Sequence, residues 1–137
     1  MQVKHLDHLN LDVNSLDDSA NWYARVFGFE EVEHGVYQGH PWKIVRADDA
    51  MLPMYERPQA LRPPSDWESR PHLGINHFAL RIVDEAAWLT TIQRERIALV
   101  HGEAIHWPHS TSWYIFDPNG YEIEVVHWKQ DAVRFAA

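Results

Sequence analysis

Apolar and polar residues alternate strictly in two places along the chain. Leu6-Asp7-His8-Leu9-Asn10-Leu11-Asp12-Val13 sets Leu9, Leu11 and Val13 on one side, and Ile75-Asn76-His77-Phe78-Ala79-Leu80-Arg81-Ile82 does the same with Phe78, Leu80 and Ile82. A period of two is the signature of a strand with one apolar face. The two segments also resemble each other, so the chain reads as an internal repeat. In both copies the histidine, His8 or His77, falls on the face away from the core.

A helix follows each strand. Ser15 is a candidate N-cap with Asp18 three residues on, Leu16, Ala20, Tyr23, Ala24 and Phe27 recur at helical spacing, and Gly28 is a natural stop. In the second copy Asp84 caps, Trp88, Leu89 and Ile92 form the stripe, and the helix should end near Arg96. Three strand-like stretches come next in each half. They are predicted at 29–34, 36–46 and 50–56, and again at 98–103, 111–116 and 121–128. Asp117-Pro118-Asn119-Gly120 is a strong turn between the last two. Two βαβββ modules are expected, over 1–57 and 72–137, joined by a Pro-rich connector over 58–71. The class is α+β, one structural domain in which the modules form a cupped mixed sheet with a helix on each outer face. The open faces and the apolar surface of two one-sided sheets predict a homodimer.

The length of 137 residues leaves no room for a further core, and the absence of any long apolar run argues against a membrane span. A net charge of -8 disfavours nucleic acid as a partner. There is no apolar signal-peptide core and no cysteine, which fits a cytoplasmic protein without disulfides or thiolate sites. Ten histidines are the feature that composition adds. On the last strand, Ile123 and Val125 take the core face, so Glu124 shares the open face with the repeat's histidines. Two imidazoles and one carboxylate on a concave face are the ligand set of non-haem Fe2+ sites. His8, His77 and Glu124 are therefore the candidate ligands. Fe2+ is favoured, and Mn2+, Zn2+ or Ni2+ suits the same donors. A lone strand histidine is ordinarily a packing or surface residue; equivalent positions in a repeat make that reading the weaker one.

The motifs Asp7-His8-Leu9, Asn76-His77-Phe78 and Asp117-Pro118-Asn119-Gly120-Tyr121-Glu122-Ile123-Glu124 resemble the vicinal oxygen chelate superfamily. That superfamily includes glyoxalase I, extradiol dioxygenases, methylmalonyl-CoA epimerase, and fosfomycin and bleomycin resistance proteins. The resemblance implies one divalent metal held by His8, His77 and Glu124, and a small substrate, aromatic in the dioxygenase branch, that chelates it through vicinal oxygens. Pro53 stands where glyoxalase I and the epimerase carry a fourth ligand, so three protein ligands are expected, with Glu56 nearby but of inverted face. Tyr114, ten residues before Glu124, has the spacing of a substrate-binding tyrosine in the extradiol enzymes, and His106 and His109 lie near the place of a substrate-contacting histidine. A metal-dependent dioxygenase-like enzyme is the leading expectation. A glyoxalase-type lyase or isomerase, or a fosfomycin-resistance-type thiol transferase, is the alternative on the same ligands. A non-catalytic drug-binding protein is the third reading, and the full ligand set counts against it.

Overall fold

The structure is a computed structural model and describes residues 1–58 and 74–130. The chain divides into two compact units, Met1–Leu61 and Arg62–Ala137, each built as one module. Most of the expected connector at 58–71 lies outside the described residues. In the first unit β1 (Leu11–Val13), α1 (Leu16–Phe27), β2 (Glu30–Tyr37), β3 (His40–Ala47) and β4 (Ala50–Glu56) follow in order. The second contains β5 (Phe78–Ile82), α2 (Glu85–Glu95), β6 (Ile105–His106), β7 (Ser110–Phe116) and β8 (Glu122–Trp128). Both are mixed four-stranded sheets, ordered β1-β4-β3-β2 and β5-β8-β7-β6. The first strand of each module runs parallel to its last, and the other pairings are antiparallel.

The helix ends are set by local chemistry. Ser15 Oγ accepts from Asp18 N at 3.2 Å and Asp84 Oδ1 from Ala87 N at 2.9 Å, each satisfying one otherwise orphaned amide. Gly28 takes the left-handed conformation (φ 72°) that ends α1. The buried stripe of α1 is Leu16, Ser19, Tyr23 and Val26, rotated from the expected one. It packs on a core containing Leu11, Val13, Val45, Leu52 and Met54. Glu56 also belongs to this helix side. Its Oε2 accepts from Leu16 N at 3.0 Å, so its carboxylate caps α1. In the second module α2 buries Trp88, whose ring meets Trp113 at 6.5 Å between centroids, above Ile115, Ile123 and Val125. Leu89 of the expected stripe is exposed.

Three boundaries differ from expectation, each for a physical reason. The first hairpin turns at Gln38-Gly39, not at Gly35. Both turn residues have positive φ (49° and 81°), as a tight hairpin matching the strand twist requires. Gly35 lies inside β2. The strand expected at 98–103 is absent: Gly102 (φ 76°) breaks the chain into turns, and the edge strand is only Ile105–His106. Pairing of β1 begins at Leu11 opposite Met54, whereas β5 already pairs at Phe78 with Ile123. Pro53 has no N–H to donate where β8 has Glu124, which shortens the parallel ladder in the first module.

The β7–β8 turn is held by one buried carboxylate. Asp117 Oδ1 accepts from Asn119 N at 2.8 Å and Tyr121 N at 2.9 Å, and Oδ2 accepts from Asn119 Nδ2 at 3.1 Å. Gly120 (φ 83°) completes the turn. Asp117→Ala leaves these donors unanswered, and it should cost about 2 to 3 kcal/mol in chemical denaturation. A loss below about 0.5 kcal/mol would show that the backbone alone holds the turn.

Candidate metal and substrate site

Every pair in the β7–β8 hairpin follows from the turn centred on Asn119. Tyr114 stands directly opposite Glu124, and Ser112 opposite Val126. Trp113, Ile115, Ile123 and Val125 point to the buried helix side, so Ser112, Tyr114 and Glu124 share the open face. Ser112 Oγ donates to Glu124 Oε1 at 2.6 Å. The other carboxylate oxygen, Oε2, lies 3.1 Å from His77 Nε2. The Tyr114 side chain faces the Glu124 carboxylate across the ladder. Burial first, then the nearby Glu124 carboxylate, then Glu122, push the Tyr114 hydroxyl pKa up to about 12.

His77 is oriented from behind. Its Nδ1 lies 2.6 Å from Asn76 Oδ1, an oxygen that can only accept, so Nδ1 carries the proton. Nε2 then faces the Glu124 carboxylate oxygen at 3.1 Å, as a lone pair in the neutral ring or as a donor in the imidazolium. At that distance a proton or a cation lies between the two atoms. Two ligand atoms each about 2.1 Å from one ion, at roughly a right angle, stand about 3 Å apart, so the pair fits a divalent cation. His8 repeats the arrangement in the first module: its Nδ1 lies 2.8 Å from Asp7 Oδ2, leaving Nε2 outward. A ligand histidine is commonly fixed by such a partner on its other nitrogen. His77 and Glu124 thus meet within the second module, while His8 stands on the first. Among the described residues no group of three His, Asp or Glu is close enough to hold an ion.

His106 and His109, the other predicted residues, fall away from this cluster, and the polar residues near them are placed by the same strand parity. His106 pairs across the ladder with Thr111, its Nδ1 3.3 Å from Thr111 Oγ1. That puts it on the helix side with Trp113, opposite the face of Glu124. His109 precedes β7, and its Nε2 is buried without a hydrogen-bond partner among the described residues. His127 is also on the helix side, 3.2 Å from Glu85 of α2. Arg81 shares the open face, and its Nη2 donates to Gln130 O at 3.4 Å. His101 was not anticipated. It lies in the turns before β6, where Val100 N donates to Tyr114 O at 2.8 Å. Its ring meets Tyr114 edge-on at 5.1 Å, and His77 meets the same ring at 5.4 Å. The strand expected at 98–103 concealed it.

In metal-free protein Tyr114 should ionise near pH 12, read from absorbance of the phenolate and assigned with Tyr114→Phe. The folded-state pKa lies above the ordinary value of 10, so folding stability present below pH 10 should be lost as pH rises toward 12. Tyr114→Phe should flatten that decline; an unchanged decline would assign it elsewhere.

Comparisons with known proteins agree with the fold. The family described as the glyoxalase/bleomycin resistance protein/dioxygenase superfamily matches residues 5–125. A glyoxylase/bleomycin resistance protein/dioxygenase domain from Frankia sp. EAN1pec is similar in structure, with a TM-score of 0.77, 16% identity and 96% of each chain covered. The fosfomycin resistance protein FosX from Listeria monocytogenes has a TM-score of 0.71 and 16% identity, covering 95% of this chain and 98% of that one. Lactoylglutathione lyase from Agrobacterium tumefaciens has a TM-score of 0.65 and 25% identity, covering 93% and 96%. No curated protein matches the chain. With the repeated modules and a family match running from the first candidate ligand to the last, the chain belongs to the glyoxalase/bleomycin resistance protein/dioxygenase superfamily.

Proposed function

We propose that this protein is a divalent-metal-dependent vicinal oxygen chelate enzyme of dioxygenase type, with His8, His77 and Glu124 as ligands. The observation that carries the reading is His77 Nε2 facing the Glu124 carboxylate at 3.1 Å while Asn76 holds Nδ1, with Tyr114 beside them. When bound, a divalent cation supplies Lewis acidity that lowers the pKa of a substrate hydroxyl, and Fe2+ also supports oxygen chemistry. Asn76 and Asp7 keep the proton on Nδ1 of His77 and His8, so each ring offers Nε2. Ser112 holds one oxygen of Glu124 and leaves the other to the ligand set. Tyr114 keeps its proton at neutral pH and donates it in a hydrogen bond to an ionised substrate oxygen. His101, packed on Tyr114 and exposed, is placed to exchange a proton at that edge of the site. His109 shares the parity of Thr111 and Trp113, so it and His106, both on the helix side, are the weaker candidates.

A lyase, isomerase or thiol transferase on the same ligands is the second reading. Its support is the likeness to a lactoylglutathione lyase at 25% identity. Pro53, in the place of a fourth ligand, weighs against the glyoxalase branch. Assembly as a homodimer and a cytoplasmic location belong to the same proposal. No helix among the described residues is long and apolar enough to cross a membrane.

Chelator-stripped protein should take up about one divalent ion per chain, measured by metal analysis after dialysis, and His77→Ala should abolish uptake while preserving the fold. With Fe2+, a catechol should be consumed together with oxygen. Tyr114→Phe should slow that turnover roughly ten- to a hundredfold, the value of one hydrogen bond to a charged oxygen. Activity with Ni2+ or Zn2+ and no oxygen uptake would select the second reading. Uptake equal in wild type and His77→Ala would remove the proposed site.

A further inference from the structure

The open face of the first module has the opposite chemistry to that of the second. Pro53 pairs with Ile44 as Glu124 pairs with Tyr114, and Trp42 precedes Ile44 by two residues as Ser112 precedes Tyr114. Where the second module sets hydroxyls and a carboxylate, the first sets Trp42, Ile44, Pro53 and Tyr55. With Asn10 at the rim, these four line an open pocket of about 190 Å³. All four are half-buried, and none is charged.

Two features show that this pocket is built at some structural cost. Pro53 lies in β4, between β1 and β3, where a residue without an N–H forfeits a ladder bond. Gly35 lies directly across from Trp42. A Cβ there would stand 2.8 Å from Trp42 Cζ2, 3.0 Å from Cε2 and 3.1 Å from Nε1. The glycine therefore serves space, not a turn: it lets the indole lie down over β2 and fixes the wall of the pocket.

We infer that this pocket binds an uncharged, flat hydroxylated aromatic ring. A cavity of about 150 Å³ suffices for benzene, so about 190 Å³ accepts a ring with a substituent. An indole and a phenol on adjacent strands offer ring faces and edges to a planar partner. The lining carries no charge to pair with a charged ligand, which would be desolvated there. The Asn10 amide is the polar group at the rim, able to donate to and accept from a ring hydroxyl. The inference deepens the proposed function by naming a ligand class for the first module by itself, and it rests on that reading for its biological meaning. Binding itself needs no metal.

The test is calorimetric titration of 2-naphthol into chelator-treated full-length protein, with its saturated analogue decahydro-2-naphthol as the puckered control. Saturable binding of 2-naphthol, severalfold tighter than the control, is expected. Trp42→Leu should weaken it roughly three- to tenfold, the usual worth of an aromatic pair. Gly35→Ala should weaken it similarly by displacing the indole, although it removes no lining residue. His77→Ala should leave it unchanged, which separates this inference from the metal reading. Trp107→Leu should also leave it unchanged and excludes binding to exposed tryptophan in general. Near-ultraviolet circular dichroism confirms that each variant is folded. The inference is overturned if folded wild type shows no saturable binding, if the puckered analogue binds as well, or if folded Trp42→Leu and Gly35→Ala both bind like wild type. A second chain occupying this face would appear as the first of these outcomes.

Discussion

His77 Nε2 and Glu124 Oε2 face each other at 3.1 Å, and Asn76 Oδ1 lies 2.6 Å from the ring's other nitrogen. That contact is the constraint on which the second module's open face depends. It is imposed by backbone, since Glu124 is fixed by its pairing with Tyr114 and Ala79, and His77 by its place immediately before β5. Ser112 answers one carboxylate oxygen and so aims the other. Asp117, buried at the turn, sets the register that brings Ser112 and Tyr114 beside Glu124. Remove the turn and the register is lost; slip it by one residue and each of these side chains enters the core.

Duplication explains the fold, and divergence explains the chemistry. Both modules use the same strand order, an aspartate or serine helix cap, and a histidine held by its preceding residue. At the positions equivalent to Tyr114 and Glu124, the first module has Ile44 and Pro53. The exchange shortens β1 and replaces a polar cluster with an apolar pocket. The Glu56 carboxylate, the acid nearest to Pro53 in sequence, is committed to the first amide of α1.

The repeat, both caps, the Gly28 stop and the Asp117 turn were legible in the sequence because each is decided by a few adjacent residues. The open-face position of Glu124 and Tyr114 followed from strand parity alone. Other features depend on contacts between distant segments. Gly35 resembles a turn residue, yet its function is to make room for Trp42, seven positions away. The true turn uses Gln38 in a left-handed conformation that its side chain does not advertise. His101 meets Tyr114 through a hydrogen bond from Val100 to β7, which no local pattern encodes. His106 looked equivalent to its neighbours by spacing, but its pairing with Thr111 turned it to the helix side.

The central claim is that the His77–Glu124 contact, with His8, is bridged by a divalent cation and not by a proton. X-ray absorption at the metal edge of protein loaded with one equivalent of Fe2+ or Zn2+ tests this directly. The account predicts scattering from two imidazole rings, with the first-shell nitrogen and oxygen donors about 2.0 to 2.2 Å from the ion. A spectrum with oxygen donors only, and no imidazole scattering, would contradict it.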